Sequence, residues 1–242
     1  MKHPLQIIHT QALDFWLARS AALAIVILQL WLGQPVTFGP VWLAPALELA
    51  LLIPLSFATA WAQNLAARAV HESHWHMIER RARTVRRLAL ALTAVITVMN
   101  SLSLLKVIRQ LLLGHFGANG VALLLDAIKI WTINFVAFAL WYWTLDRGGP
   151  AARGITRHNR PDFLFPQMTL DRSASSTVDP GDEAWSPGFV DYLFLAFTNA
   201  SAFSPTDTLP LSPRAKLLMM AQSGISLLTI AFVAARAVNI LA

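Results

Sequence analysis

The chain contains no cysteine. That absence excludes disulfide staples, thiolate metal sites and cysteine nucleophiles. Charge is scarce as well. Asp, Glu, Lys and Arg together make 13% of the 242 residues, whereas a soluble domain carries roughly a quarter. A chain this poor in charge cannot cover its own surface with polar groups in water. It also has no glycine-rich phosphate loop, no nucleophile beside a plausible base and no convincing metal-ligand set, so nothing points to an enzyme or a cofactor. His71, Glu72, His74 and His76 lie close together in sequence, but on a helix His76 points away from His71 and His74. A solvated or interfacial connector is the simpler reading.

What the chain has in abundance is hydrophobicity: 56% of its residues are apolar, and its mean hydropathy is +0.53. The net charge of +6 would suggest nucleic acid in a soluble protein. Here the arginines sit beside hydrophobic runs rather than along one polar face, so they report membrane orientation and argue against a nucleic-acid partner. A membrane helix needs about 20 mostly apolar residues. Five runs approach or exceed that length, at 17–32, 41–62, 88–113, 121–145 and 215–241. Pro45 and Pro54 interrupt the second and are expected to kink it. The first run lacks a small-x-small cleavage pattern and reads as a retained span.

The expected fold is all-α, a polytopic membrane helix bundle of about five transmembrane helices with one re-entrant half-helix before the last span. Residues 1–145 form the four-span region, 146–188 a polar loop insert, and 189–242 a half-helix, turn and final span. The half-helix, 189–203, is too short to cross a bilayer core of about 30 Å. Ser186 and Pro187 offer it a cap and a first-turn proline. Pro205, Pro210 and Pro213 then punctuate the way into the last span, which Ser212-Pro213 opens. Irregular backbone at membrane depth survives only where it is buried in protein or lines a watery cavity.

Titratable groups inside the apolar runs carry the remaining site expectations. They are Glu48, Lys106, Arg109, Asp126, Lys129 and Arg236. Counted out from the 114–120 turn, Arg109 and Asp126 fall at nearly the same depth, so an ion pair of Asp126 with Arg109 or Lys106 is expected over a proton or substrate path. Glu48 has no obvious sequence partner and reads as a neutral or snorkelling acid, with a cation- or proton-carrying role as the alternative. Gln222, Arg236 and Asn239 read as interhelical contacts first and lumen groups second. Arg80, Arg81, Arg83, Arg86 and Arg87 form an orientation and anionic-lipid anchor. They put their own end of the bundle in the cytoplasm, together with the polar insert and the start of the half-helix.

The run from Ala196 through Asp207 to Pro213 resembles the pore segment of two-transmembrane potassium-channel domains. In that family a pore half-helix leads into a Thr-Thr-x-Gly-Tyr-Gly-Asp filter, a Pro-x-Ser-Pro turn and an inner helix. Ser201 and Ala202 fall on the filter threonines, Asp207 on the closing acid, and Pro210, Ser212 and Pro213 on the turn. The likeness continues along the inner helix through Gln222 and Ala235-Arg236. The resemblance implies an oligomeric, channel-like pore with Thr198, Asn199, Ser201, Ser204, Pro205, Thr206 and Asp207 as filter-like residues. It also implies inorganic cations as partners beside the lipid bilayer, and a homo-oligomer, because one half-helix and one inner helix cannot enclose a lumen. Ser204, Pro205 and Thr206 stand where Gly-Tyr-Gly would be. Proline fixes its own φ and restricts the residue before it, so the carbonyl ladder that strips potassium is not inherited. Asp207 offers either an acidic ring or a capping-box reply to Ser204.

The chain is similar, too, to uncharacterised bacterial multi-pass membrane proteins sharing Asp146-Arg147-Gly148-Gly149-Pro150, Phe165-Pro166-Gln167 and the 202–207 run. That likeness implies a bacterial inner (plasma) membrane. The alternative function is a non-conducting membrane scaffold or regulatory subunit, with the first two motifs docking a partner or headgroups.

Overall fold

The computed structural model of the chain describes residues 4–31, 40, 42–50, 52–53, 75–112, 120–150, 160–169, 185–201 and 207–241. Six helices account for most of them. They are α1 (Pro4–Leu30), α2 (residues 43–50), α3 (Trp75–Leu112), α4 (Gly120–Leu145), α5 (Phe189–Ala200) and α6 (Pro213–Leu241). Within α1, α3, α4 and α6, or just beyond, four stretches are long and apolar enough to cross a membrane: Leu13–Leu30, Arg83–Gln110, Leu124–Gly148 and Pro213–Ala234. The expected second span, 41–62, lies largely outside the described residues. Residues 43–50 and 52–53 of it are helical.

The central element is α4, which packs against α1, α3, α5 and α6. Its inner face is closed by Ile130, Ile133, Ala137, Phe138 and Tyr142, all almost wholly buried. Large apolar side chains also point outward, among them Trp16, Ile27, Val98, Leu105, Leu217 and Leu227. Burying these against lipid removes a cost that water would impose on them.

Helix α5 has 12 residues, a length of about 18 Å at 1.5 Å per residue. It begins at the expected Phe189, but its cap departs from the sequence expectation: Gly188 in extended conformation stands there instead of Ser186. Two carboxylates explain the shift. Asp191 accepts from the Gly188 amide at 2.8 Å, and Asp14 of α1 accepts from the Phe189 amide at 3.0 Å. Both neutralise amide donors that a helix start leaves open, where the helix dipole also favours negative charge. The α6 start follows the sequence reading, with the Ser212 hydroxyl accepting from the Ala215 amide at 3.2 Å and Pro213 at the first helical position.

A two-stranded antiparallel ladder ties the insert to the α6 approach. In it β1 (Phe163–Leu164) pairs with β2 (Leu209–Pro210), Phe163 opposite Pro210, and the Leu211 amide donates to the Asp162 carbonyl at 2.8 Å. The Phe163–Phe165 part of the insert therefore packs against the helices. Phe163 and Phe165 are buried against both tyrosines of the chain, with Phe163 and Tyr142 ring centres 5.1 Å apart and Phe165 and Tyr192 5.3 Å apart.

Candidate functional site

Two polar clusters organise the α4–α5–α6 interface. The first lies at depth between the three helices. Gln222 of α6 is fully buried. Its amide oxygen accepts from the Tyr142 hydroxyl and from the Asn199 side-chain amide at 2.8 Å. Its own amide donates to the Ala196 carbonyl of α5 at 2.6 Å. Asn199 also donates to the Met219 carbonyl at 3.1 Å and accepts from the Ser223 hydroxyl at 3.1 Å. One turn along, Asn134 of α4 donates to the Ser226 hydroxyl at 2.8 Å, and the Trp131 indole donates to the Ala200 carbonyl at 3.3 Å. Each helix thus spends its polar side chains on the others. In a low-dielectric interior such a closed network holds its members in one arrangement.

The second cluster forms around Asp146, which the sequence reading left in a polar loop. Its side chain is completely buried. One carboxylate oxygen accepts from the Tyr192 hydroxyl of α5, and the other accepts from the Asp162 amide at 2.7 Å. The Arg147 guanidinium stands 3.8 Å from the first oxygen and approaches the Met168 sulfur at 3.1 Å. A buried carboxylate is tolerable when its lone pairs are met by donors and a cation lies near. The turn that carries it needs left-handed backbone at Arg147, Gly148 and Gly149. A side chain at Gly149 would come within 2.9 Å of the Thr144 carbonyl, so glycine is required there on both counts. Asp146 of the first motif and Phe165 of the second accordingly both meet Tyr192 of α5.

The filter-like residues divide. Thr198 is half-buried and bonds back to the carbonyls of Phe194 and Leu195, both at 3.0 Å. Asn199 belongs to the buried network, and the Ser201 hydroxyl donates to the Thr198 carbonyl at 3.1 Å. Ser204, Pro205 and Thr206 lie outside the described residues, and with them the expected capping pair of Ser204 and Asp207. Asp207 itself is exposed.

Among the intramembrane charges, Asp126 forms an ion pair at 3.0 Å with Lys129 one turn along its own helix, and Lys129 also donates to the Trp31 carbonyl at 2.6 Å. Lys106 is half-buried and Arg109 exposed near the end of α3. Glu48 is buried and accepts from the Gln29 amide of α1 at 2.6 Å, a partner the sequence reading did not find. The side chains of Arg236 and Asn239, the 71–74 segment and the His76 side chain lie outside the described residues. Among the described residues no group of three or more metal-ligating side chains occurs.

The sequence reading found Gln222 but missed Tyr142, Asn134, Ser223, Ser226 and Asp146. A usable signal existed in the tyrosines. There are only two, both in apolar stretches, and a buried tyrosine hydroxyl requires an acceptor. No protein-family model, curated protein or solved structure matches this chain.

Proposed function

We propose that the chain is an integral membrane protein in which α5 is a re-entrant half-helix, and that this half-helix is a packing element of a non-conducting membrane scaffold or regulatory subunit. The supporting observation is the direction of its polar side chains. On α6, Gln222, Ser226 and Thr229 fall on one helical face, and all three are buried. The outward face instead carries Leu217, Met220, Leu227 and Leu228. Thr198, Asn199 and Ser201 likewise bond within the same protomer. Side chains committed to internal bonds are poor substitutes for an ion's hydration shell. The re-entrant path is supported by the β1–β2 pairing, which returns Leu209–Pro210 to Phe163–Leu164. Phe163 packs on Tyr192 of α5, their ring centres 6.3 Å apart.

A second reading, an oligomeric pore for hydrated cations, rests on Asp207. This acid is exposed at the end of the filter-like run, where copies around an axis would form a ring. Purified protein in planar bilayers, with potassium on one side and sodium on the other, separates the two. Electrical silence supports the scaffold. Current with a reversal potential near zero supports a non-selective pore, and a reversal potential near the potassium equilibrium value refutes both.

A further inference from the structure

An open cleft lies between α1, Leu52, α3 and the end of α4. Its wall is apolar over most of its length, with Phe15, Ala22, Leu52, Leu92 and Leu140 among the lining residues. Two arginines, Arg19 and Arg86, line the same cleft. From Arg86 to the Leu92–Thr93 turn the wall runs about 10 Å along the helix axis. The Nε atom of Arg86 is buried and makes no hydrogen bond, a costly state for a guanidinium N–H unless something accepts from it. The arginine stem lies beside the Asp146–Pro150 turn, since a Cβ built on Gly149 would sit 3.8 Å from Arg86 Cγ and Cδ.

We propose that this cleft is a binding site for one anionic phospholipid of the surrounding leaflet. The headgroup phosphate accepts from Arg86 and Arg19, and the first part of an acyl chain lies against the apolar wall. The proposal rests on the membrane reading above but is independent of whether the protein conducts. Charge complementarity selects the occupant. An apolar wall alone would take any chain, and two guanidinium groups beside it favour a phosphate, which arginine binds in a forked geometry. Arg87 serves as an internal comparison, being exposed on the same helix and not among the cleft-lining residues.

The test is native mass spectrometry of the detergent-purified full chain, titrated with phosphatidylglycerol or with phosphatidylcholine of identical chains. Wild type is expected to retain phosphatidylglycerol preferentially. Arg86→Gln is expected to lose roughly fivefold of that preference, the factor for one arginine–headgroup contact, whereas Arg87→Gln keeps it. Ala89→Phe, which fills the cleft without altering charge, is expected to lower retention of both lipids. Melting curves without added lipid identify any variant that has merely failed to fold, and Arg86→Lys, which keeps the charge, then supplies the comparison by retaining part of the preference. Equal retention of the two lipids by wild type, or an equal loss for Arg87→Gln and Arg86→Gln, overturns the proposal. So does displacement of phosphatidylglycerol by inorganic phosphate as readily as by short-chain phosphatidate, which would make the site a simple anion site. A chain that stays with the membrane fraction after an alkaline wash yet shows no lipid preference sinks the cleft alone. A chain released by that wash sinks the membrane reading with it.

Discussion

Replacing Gln222 by Met tests whether the buried network fixes α5 against α6. The two side chains are close in length and in helix propensity, so the change deletes hydrogen bonds without leaving a large cavity. Three bonds end on the Gln222 side chain, from Tyr142, from Asn199 and to the Ala196 carbonyl. Interhelical side-chain bonds in membranes contribute about 0.6–2 kcal/mol each, and a buried hydroxyl or carbonyl left unpaired costs about 1–3 kcal/mol. Asn199 keeps its bonds to Met219 and Ser223, so the losses fall mainly on Tyr142 and Ala196. The expected destabilisation is about 2–4 kcal/mol, or roughly 5–15 °C in melting temperature for a chain of this length. Tyr142→Phe removes the hydroxyl at the other end of one bond. The double variant should therefore be less damaged than the sum of the singles, by about 1 kcal/mol. Thermal unfolding in one fixed detergent measures all four corners of the cycle. A melting temperature unchanged in Gln222→Met, or additivity within about 0.5 kcal/mol, would refute the claim that these groups act as one network.

Three further outcomes are expected. Asp146→Ala removes the acceptors of the Tyr192 hydroxyl and the Asp162 amide and should cost about 3 kcal/mol; limited proteolysis should then cut within 160–169, and unchanged resistance there counts against Asp146 as the clasp. Single cysteines at Ser186 and Leu209, both exposed in a cysteine-free chain, should react with an impermeant thiol reagent from the same side of the membrane, and labelling from opposite sides sinks the re-entrant path. Gly188 is the poorer tagging site, since a Cβ there meets Asp14 at 3.0 Å. Asp126→Asn should lower stability by about 0.5–1 kcal/mol, with Lys129→Met adding little once Asp126 is gone; full additivity in the cycle would show the pair to be incidental.

The long apolar runs were legible because a bilayer imposes one length and one composition on whatever crosses it. Four of the five expected spans coincide with helices long and apolar enough to cross. The short helix at 189–200 was legible for the complementary reason: its apolar run stops too soon, and prolines follow. Its cap was not. Ser186-Pro187 carries a good local capping signal, but Asp14, 175 residues upstream, holds the Phe189 amide, and a local window cannot weigh a carboxylate from another helix. Glu48 fails in the same way, since its partner Gln29 lies on α1. Asp146 was misread because a run of Asp, Arg, Gly and Pro has the composition of a solvated loop. Its burial depends on a tyrosine and a backbone amide that the fold brings in from later in the chain.

The direction of a polar stripe in a membrane helix has the same origin. Gln222, Ser226 and Thr229 share a face by helical period alone, so the stripe can be read from α6 without a structure. Inside a bilayer, though, a polar face can turn towards a wet lumen or towards other polar side chains, and the period is identical in both cases. What decides is whether neighbouring helices carry matching groups at matching depth. Here α4 supplies Asn134 and Tyr142, eight residues apart on one face, and α5 supplies Asn199 and the Ala196 carbonyl, so Gln222 and Ser226 find partners within one protomer. A stripe so matched gains nothing by turning to a lumen and would lose several buried bonds if it did. The resemblance to a potassium-channel pore segment implies a short helix followed by a long one, and α5 and α6 stand in that order. The internal bonds of Gln222, Asn199 and Ser226 are the observation on which the proposed packing role rests.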